Sequence, residues 1–152
     1  MSPSERMEAL GLFLPPTPTP AAHYVPWVTT QKTVYAAGQT PKEGTVLKYA
    51  GQLGTELTAD QGYAAARLCA LRLLSVLKAA AGDLENIERI LKVTVFVNAA
   101  ADFSEHSRVA DGASEVFNGV LGAAGSHARS TVGAPALPGN AAVEIELIAR
   151  IS

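Results

Sequence analysis

The sequence predicts an α+β domain: a single mixed sheet with two helices packed on one of its faces. Three observations carry that expectation. The segments along the chain run strands, helix, strand, helix, strands. The longest helical segment is marked at both ends, by a Thr58-Ala-Asp-Gln61 capping box at its start and Gly82 at its stop. The closing run alternates. Val143, Ile145, Leu147 and Ala149 share one side and Glu144, Glu146 and Ile148 the other, the period of two of a strand half buried against helices.

Each element can be read in turn. Ser2-Pro3-Ser4-Glu5 joins a hydroxyl cap, a proline at the first helical position and a glutamate at the third, so a short helix is expected up to Gly11. Met7 and Leu10 lie three apart on it and can tack it to the body. Residues 15–20, Pro-Pro-Thr-Pro-Thr-Pro, must be extended, because proline lacks the amide donor and restricts its predecessor. A stiff spacer is the expected role, so residues 1–20 read as helix plus spacer and residues 21–152 as the domain proper. Short strands are expected at 24–28 and 33–37. After a turn at Pro41-Lys-Glu-Gly44, a third is expected at 45–49, and together they supply the floor of a sheet.

The long helix then runs to about residue 81. Tyr63, Ala66, Ala70, Leu73 and Leu77 form its buried stripe, and Arg67, Arg72, Ser75 and Lys78 its opposite side. Residues 83–87 can add a further helical turn. Residues 90–97 are apolar on both faces apart from Lys92 and Thr94, the mark of a mid-sheet strand. A second helix is expected over 104–121, with Val109, Ala113, Val116, Phe117 and Val120 on its apolar face. Gly112 and Gly119 each cost that helix about 1 kcal/mol relative to alanine, so packing must hold it.

Composition excludes several classes of function. The 152 residues are 48% hydrophobic and 17% charged, as in a soluble single domain with apolar surface to spare for an oligomer. A net charge of −2 offers no basic footprint for nucleic acid, and four Tyr, four Phe and one Trp supply a stacking platform poorly. The single cysteine, Cys69, excludes an internal disulfide, suits a reducing, cytoplasmic setting and reads as a small buried hydrophobe. His23, His106 and His127 lack metal-ligand spacing, so no metal site is expected. The start does not read as a secretory signal, and no run of about 18 apolar residues exists to span a membrane.

The candidate chemistry lies near the end of the chain. Arg129 sits among small and β-branched residues, a loop with Pro135, Pro138, Gly139 and Asn140 follows, and the alternating strand closes the chain. Two strands so joined are expected to place the arginine and one or two carboxylates on a shared face. Arginine offers a planar fork of donors to a carboxylate ligand, and a nearby glutamate could hold or deprotonate a water. The same residues also read as a cross-strand ion pair of Arg129 with Glu144 or Glu146, worth under about 1 kcal/mol. Residue types leave both open.

A family resemblance adds to this. Ala128-Arg-Ser-Thr-Val132, the Leu137-Pro138 loop and Val143-Glu-Ile-Glu-Leu-Ile-Ala149 resemble the closing signature of the RidA/YjgF family of reactive-intermediate deaminases. Ala37-Gly-Gln-Thr-Pro41 resembles that family's early turn. Lys92-Val-Thr-Val-Phe-Val97, followed by Asp102-Phe103, resembles its central strand. The resemblance implies a chorismate mutase-like fold and a homotrimer, with the sheets forming a central β-barrel and three clefts between subunits. It also implies cofactor-free hydrolysis of a 2-imino acid, or its enamine tautomer, to a 2-oxo acid and ammonia.

By the same resemblance Arg129 clamps the substrate carboxylate and Glu144 orients the water. Tyr24 lines the cleft, Gly38 brings backbone close to the ligand, and the backbone carbonyl of Thr131 helps hold the water. On residue type alone Tyr24 reads equally as core and Gly38 as a turn. The chain departs from the family pattern at Thr131, where cysteine is common, at the small Gly133 and Ala134, and near Asp111 and Gly112, where an asparagine is expected. A non-catalytic carboxylate-binding trimer is the alternative. The ribonuclease or translation-inhibitor labels of some relatives fit poorly with an acidic chain that lacks a paired His acid and base.

Overall fold

The computed structural model describes residues 1–20 and 22–152. Among them the elements run α1 (Pro3–Leu10), β1 (Trp27–Thr30), β2 (Thr33–Gln39), β3 (Lys42–Glu43), β4 (Val46–Leu47) and α2 (Ala59–Ala81), then β5 (Ile87–Asn98), α3 (His106–Leu121), β6 (Ala128–Ala134) and β7 (Val143–Ile151). Five strands form one mixed sheet in the order β1-β2-β7-β5-β6, in which only the β5–β6 pair is parallel. Helices α2 and α3 pack on each other and on one sheet face, as the segment order predicts. The inward rows of β5 and β7, from Val93 to Val97 and from Val143 to Ala149 at alternate positions, are fully or almost fully buried beneath them.

Local chemistry explains the ends of the elements. Both capping boxes form, Ser2 with Glu5 and Thr58 with Gln61, each side chain accepting from the other's backbone amide. Gly11 ends α1 in the left-handed region at φ 66, which a residue without Cβ adopts freely. The weak helix-former Gly112 in α3 has a different reason: a Cβ there would stand 2.2 Å from the Tyr63 carbonyl oxygen of α2. The two helices cross too closely for any side chain. That proximity offsets the propensity cost through packing.

The structure corrects four expectations. The first strand begins at Trp27, later than expected. The segment expected as a third sheet strand instead forms a separate two-residue hairpin, β3–β4, folded back at Gly44 with φ 60. Strand β5 starts at Ile87 after a single 3-10 turn at Leu84–Asn86. Arg72 and Ser75, assigned to the open side of α2, are both buried. The proline-rich segment lies over that side of the helix, and Ser75 Oγ donates to the Pro15 carbonyl at 2.6 Å. Helix α1 packs on α3 and buries Met7 in the common core.

Among the described residues no layer lies over the other sheet face. In register across it lie Val28, Tyr35 and Ile148, then Phe96 with Glu144 and Val132 on either side. Val28, Tyr35 and Val132 are each about half exposed.

Candidate functional site

Strand register decides which of the predicted residues can meet. Arg129 on β6 pairs with Val93, and Glu144 on β7 pairs with Phe96. Val93 is fully buried against the helices, so Arg129 shares the helix side of the sheet. Phe96 and Glu144 lie on the open side. Strand β5 separates β6 from β7, so the two residues also stand two strand spacings apart, roughly 10 Å. The expected shared face does not exist within one chain, and neither does the expected pair of Arg129 with Glu144 or Glu146. Two strands that are consecutive in sequence need not be neighbours in the sheet, and here β5 takes the place between them.

Tyr24, Gly38 and Glu144 do come together. They line a cavity of about 550 Å³ with Gln39, Thr40 and Arg72. Tyr24 is half exposed and belongs to no core. Between Ala36 and Gln39 strand β2 bulges against β7, carrying one more residue than its partner, and this lays Gly38 over the Glu144 side chain. A Cβ on Gly38 would lie 2.4 Å from Glu144 Oε1 and 3.1 Å from its Cγ and Cδ. Gly38 is not in the left-handed region, so its glycine is needed for space and not for a turn. Burial raises the Glu144 pKa from its ordinary value, and the neighbouring charge of Glu146 adds to the shift. A carboxylate so destabilised is a better base for a bound water.

Arg129 lies in a second group beside α3. Its Nη1 donates to Asp111 Oδ1 at 2.9 Å and to Ser114 Oγ at 3.0 Å, and Nη2 reaches the Ser107 carbonyl at 3.4 Å. The Asp111 ion pair is partly solvated, with 21% of the Arg129 side chain and 54% of the Asp111 side chain exposed. His127 completes the group: its Nδ1 is 2.6 Å from the Gly125 carbonyl and its Nε2 is 2.9 Å from Ser114 Oγ. The carbonyl can only accept, so Nδ1 carries the proton, Nε2 accepts from the serine hydroxyl, and the serine oxygen accepts from Arg129. Burial depresses the His127 pKa, the Gly125 carbonyl opposes that, and the Arg129 charge lowers it further. A shallow cavity of about 240 Å³ borders Arg129, His127 and Ser114. Thr131 follows on β6, on the same side as Arg129 and away from the Glu144 cavity.

Sequence reasoning marked Asp111 only as the place of an absent asparagine and did not find Ser114, His127 or Arg72 as site neighbours. Asp111 and Ser114 sit three apart on α3, which puts them on one face, but only the packing of α3 against β6 shows that this face meets Arg129. Cys69 is fully buried, and burial pushes its thiol pKa up, which fits the expected apolar role. Among the described residues no cluster of His, Cys, Asp and Glu could hold a metal ion, and no helix is long and apolar enough to cross a membrane.

Residues 4–151 match the family described as "YjgF/chorismate_mutase-like, putative endoribonuclease". The chain belongs to that family. The matched range includes most of α1 and all of the proline-rich segment. Protein TCP17 of Trypanosoma cruzi is 42% identical over 147 residues, covering 96% of this chain and 92% of its own. The crystal structure of the Agrobacterium tumefaciens protein Atu1372, of unknown function, superposes with a TM-score of 0.92 at 38% identity, over 99% of this chain and 92% of its own. A "putative endoribonuclease" from Shewanella oneidensis MR-1 gives 0.95 at 33% identity, over 99% and 100%. The family read from the motifs is therefore the right one, and the mixed sheet with helices on one face is the family's architecture.

Proposed function

We propose that this protein is a cofactor-free deaminase of 2-imino acids and their enamine tautomers, acting in clefts between the subunits of a homotrimer. The observation that carries this reading is the separation of Arg129 from Glu144 on opposite faces of one sheet. A site that uses both must take one from each of two chains. The partly apolar sheet face, with Val28, Tyr35 and Val132 exposed, supplies a surface on which copies can associate.

In such a cleft Arg129 of one subunit holds the substrate carboxylate through its planar fork. The cavity of the next subunit, with Tyr24, Gly38 and Glu144, receives the imine. Thr131 stands on the Arg129 side of the cleft, its carbonyl available to the water. Glu144 accepts a proton from that water as its oxygen adds to the imine carbon. The nitrogen takes up that proton; the hydroxyl of the adduct then gives its own proton through Glu144 to the nitrogen as the carbon–nitrogen electron pair leaves with it, and the products are a 2-oxo acid and ammonia. The imine carbon is already electrophilic, so position and a local base suffice.

The hold of Asp111 on Arg129 favours a second reading, a trimer that binds small carboxylates without turning them over. One experiment separates the two. A threonine dehydratase reaction is supplied with the protein and the appearance of 2-oxobutanoate is followed. Acceleration that Glu144→Gln abolishes supports the deaminase. No acceleration, with saturable oxo-acid binding untouched by Glu144→Gln, selects the binder.

A further inference from the structure

The cavity beneath Gly38 contains a cation that the reaction above does not use. Arg72 on α2 is buried, with 7% of its surface exposed, and it lines this cavity together with Glu144, Thr40 and Lys42. Its Nε donates to Gln39 Oε1 at 3.3 Å and its Nη1 to the Lys42 carbonyl at 3.1 Å, both neutral oxygens. Nη2 has no partner among the described residues, and no carboxylate among them pairs with the guanidinium. Arginine stays charged in a protein, and a buried charge without a counter-ion is unfavourable. Burial weakens its hold on the proton, in keeping with that placement. Glu144 lines the same cavity but makes no ion pair with Arg72, and burial and the charge of Glu146 raise its pKa.

The cavity therefore has a cation on one wall and a carboxylate on another, neither of them held in an ion pair among the described residues. Its volume of about 550 Å³ is ample for more than a four-carbon acid. We infer that Arg72, assisted by Lys42, binds a second acidic group on the ligand, so the preferred substrates are 2-imino acids with a carboxylate at the far end of the side chain. This rests on the deaminase reading for the identity of the reacting group and not for the anion site itself. Arg129 takes the carboxylate beside the imine, and Arg72 takes the distal one. The reaction that supplies such a substrate is one that oxidises or eliminates from an acidic amino acid and releases the free imine.

The full-length protein is titrated calorimetrically with 2-oxoglutarate and with 2-oxobutanoate, which differ by the distal carboxylate. The expected result is diacid binding at least about tenfold tighter. Arg72→Gln should bring the two affinities to within about twofold by weakening the diacid alone, and Arg72→Lys should restore part of the preference. A purely structural Arg72 would weaken both ligands together and leave their ratio unchanged. Equal affinities in the native protein overturn the inference, as does an Arg72→Gln variant that keeps the preference. Circular dichroism checks that Arg72→Gln folds; should it not, Lys42→Ala, on the exposed hairpin, must reduce the diacid preference, and an unchanged ratio counts against the inference. Turnover is then measured on imines generated from glutamate and from 2-aminobutanoate by an amino-acid oxidase. Turnover of both at equal efficiency sinks this inference and leaves the deaminase standing. Turnover of neither, with the binding preference intact, sinks the deaminase and leaves the anion site.

Discussion

Replacing Gly38 with alanine puts one carbon where Glu144 now lies. The added Cβ would be 2.4 Å from Oε1 and 3.1 Å from both Cγ and Cδ, against an unstrained contact of about 3.5 Å. The obstruction is the end of a flexible, half-buried side chain and not backbone, so the clash can be relieved by rotating Glu144 out of the cavity. That movement costs about 0.5–1.5 kcal/mol if it leaves a favoured rotamer. In a domain of this size it lowers the thermal midpoint by roughly 1–6 °C. The backbone at Gly38 tolerates a side chain, so no further strain adds to that figure. The catalytic loss should be much larger: a general base moved out of reach of its water forfeits roughly 10²–10⁴-fold in rate. The variant is therefore expected to be folded, to melt slightly early and to be as inactive as Glu144→Gln. Circular dichroism melts and the dehydratase-coupled assay measure the two effects side by side. Wild-type turnover from well-folded Gly38→Ala would refute the claim that Glu144 acts from this position.

Asp111→Asn should release Arg129 from its only ionic partner among the described residues, improving 2-oxo-acid affinity by roughly three- to tenfold with a stability change under about 1 kcal/mol, read by calorimetry and by melting. Gly112→Ala should be strongly destabilising, because its Cβ meets a backbone oxygen at 2.2 Å and neither helix can yield; a loss of about 3 kcal/mol or more is expected, roughly 6–12 °C, and a wild-type melt would contradict the close crossing. Glu144→Gln should change stability in a pH-dependent way. The folded pKa of Glu144 lies above its unfolded value, so the native state holds that proton more tightly and loses stability as pH rises through the folded pKa. The variant should therefore gain on the native protein in urea unfolding as pH rises from about 4 to 8, and a constant difference across that range would contradict the raised pKa.

Much of the fold was legible because local rules and tertiary packing agree in it. The Thr58–Gln61 and Ser2–Glu5 boxes and the alternation of β7 each require only neighbours in sequence, and all of them form. What the sequence hid depends on distant contacts. Arg72 and Ser75 fall on the polar side of α2 by helical spacing, and only the proline-rich segment lying across that side buries them. The hairpin at Lys42–Leu47 carries strand-like residues, yet it pairs with itself and not with the main sheet.

The candidate site divides in the same way. Gly38 over Glu144 follows from a register shift in β2 that no residue announces. The placement of Arg129 opposite α3, and so away from Glu144, follows from β5 inserting between the two closing strands. The motif gave the right family but not the geometry that one chain can reach alone.

That division is also the most direct test. Arg129→Ala and Glu144→Gln, each expected to be inactive alone, are co-expressed so that mixed oligomers form, and the turnover of the mixture is measured. If each cleft takes its arginine from one subunit and its glutamate from the next, random mixing leaves about a quarter of the clefts complete, and roughly that share of native activity returns. Well-folded mixed oligomers with no activity above either variant alone would contradict the account.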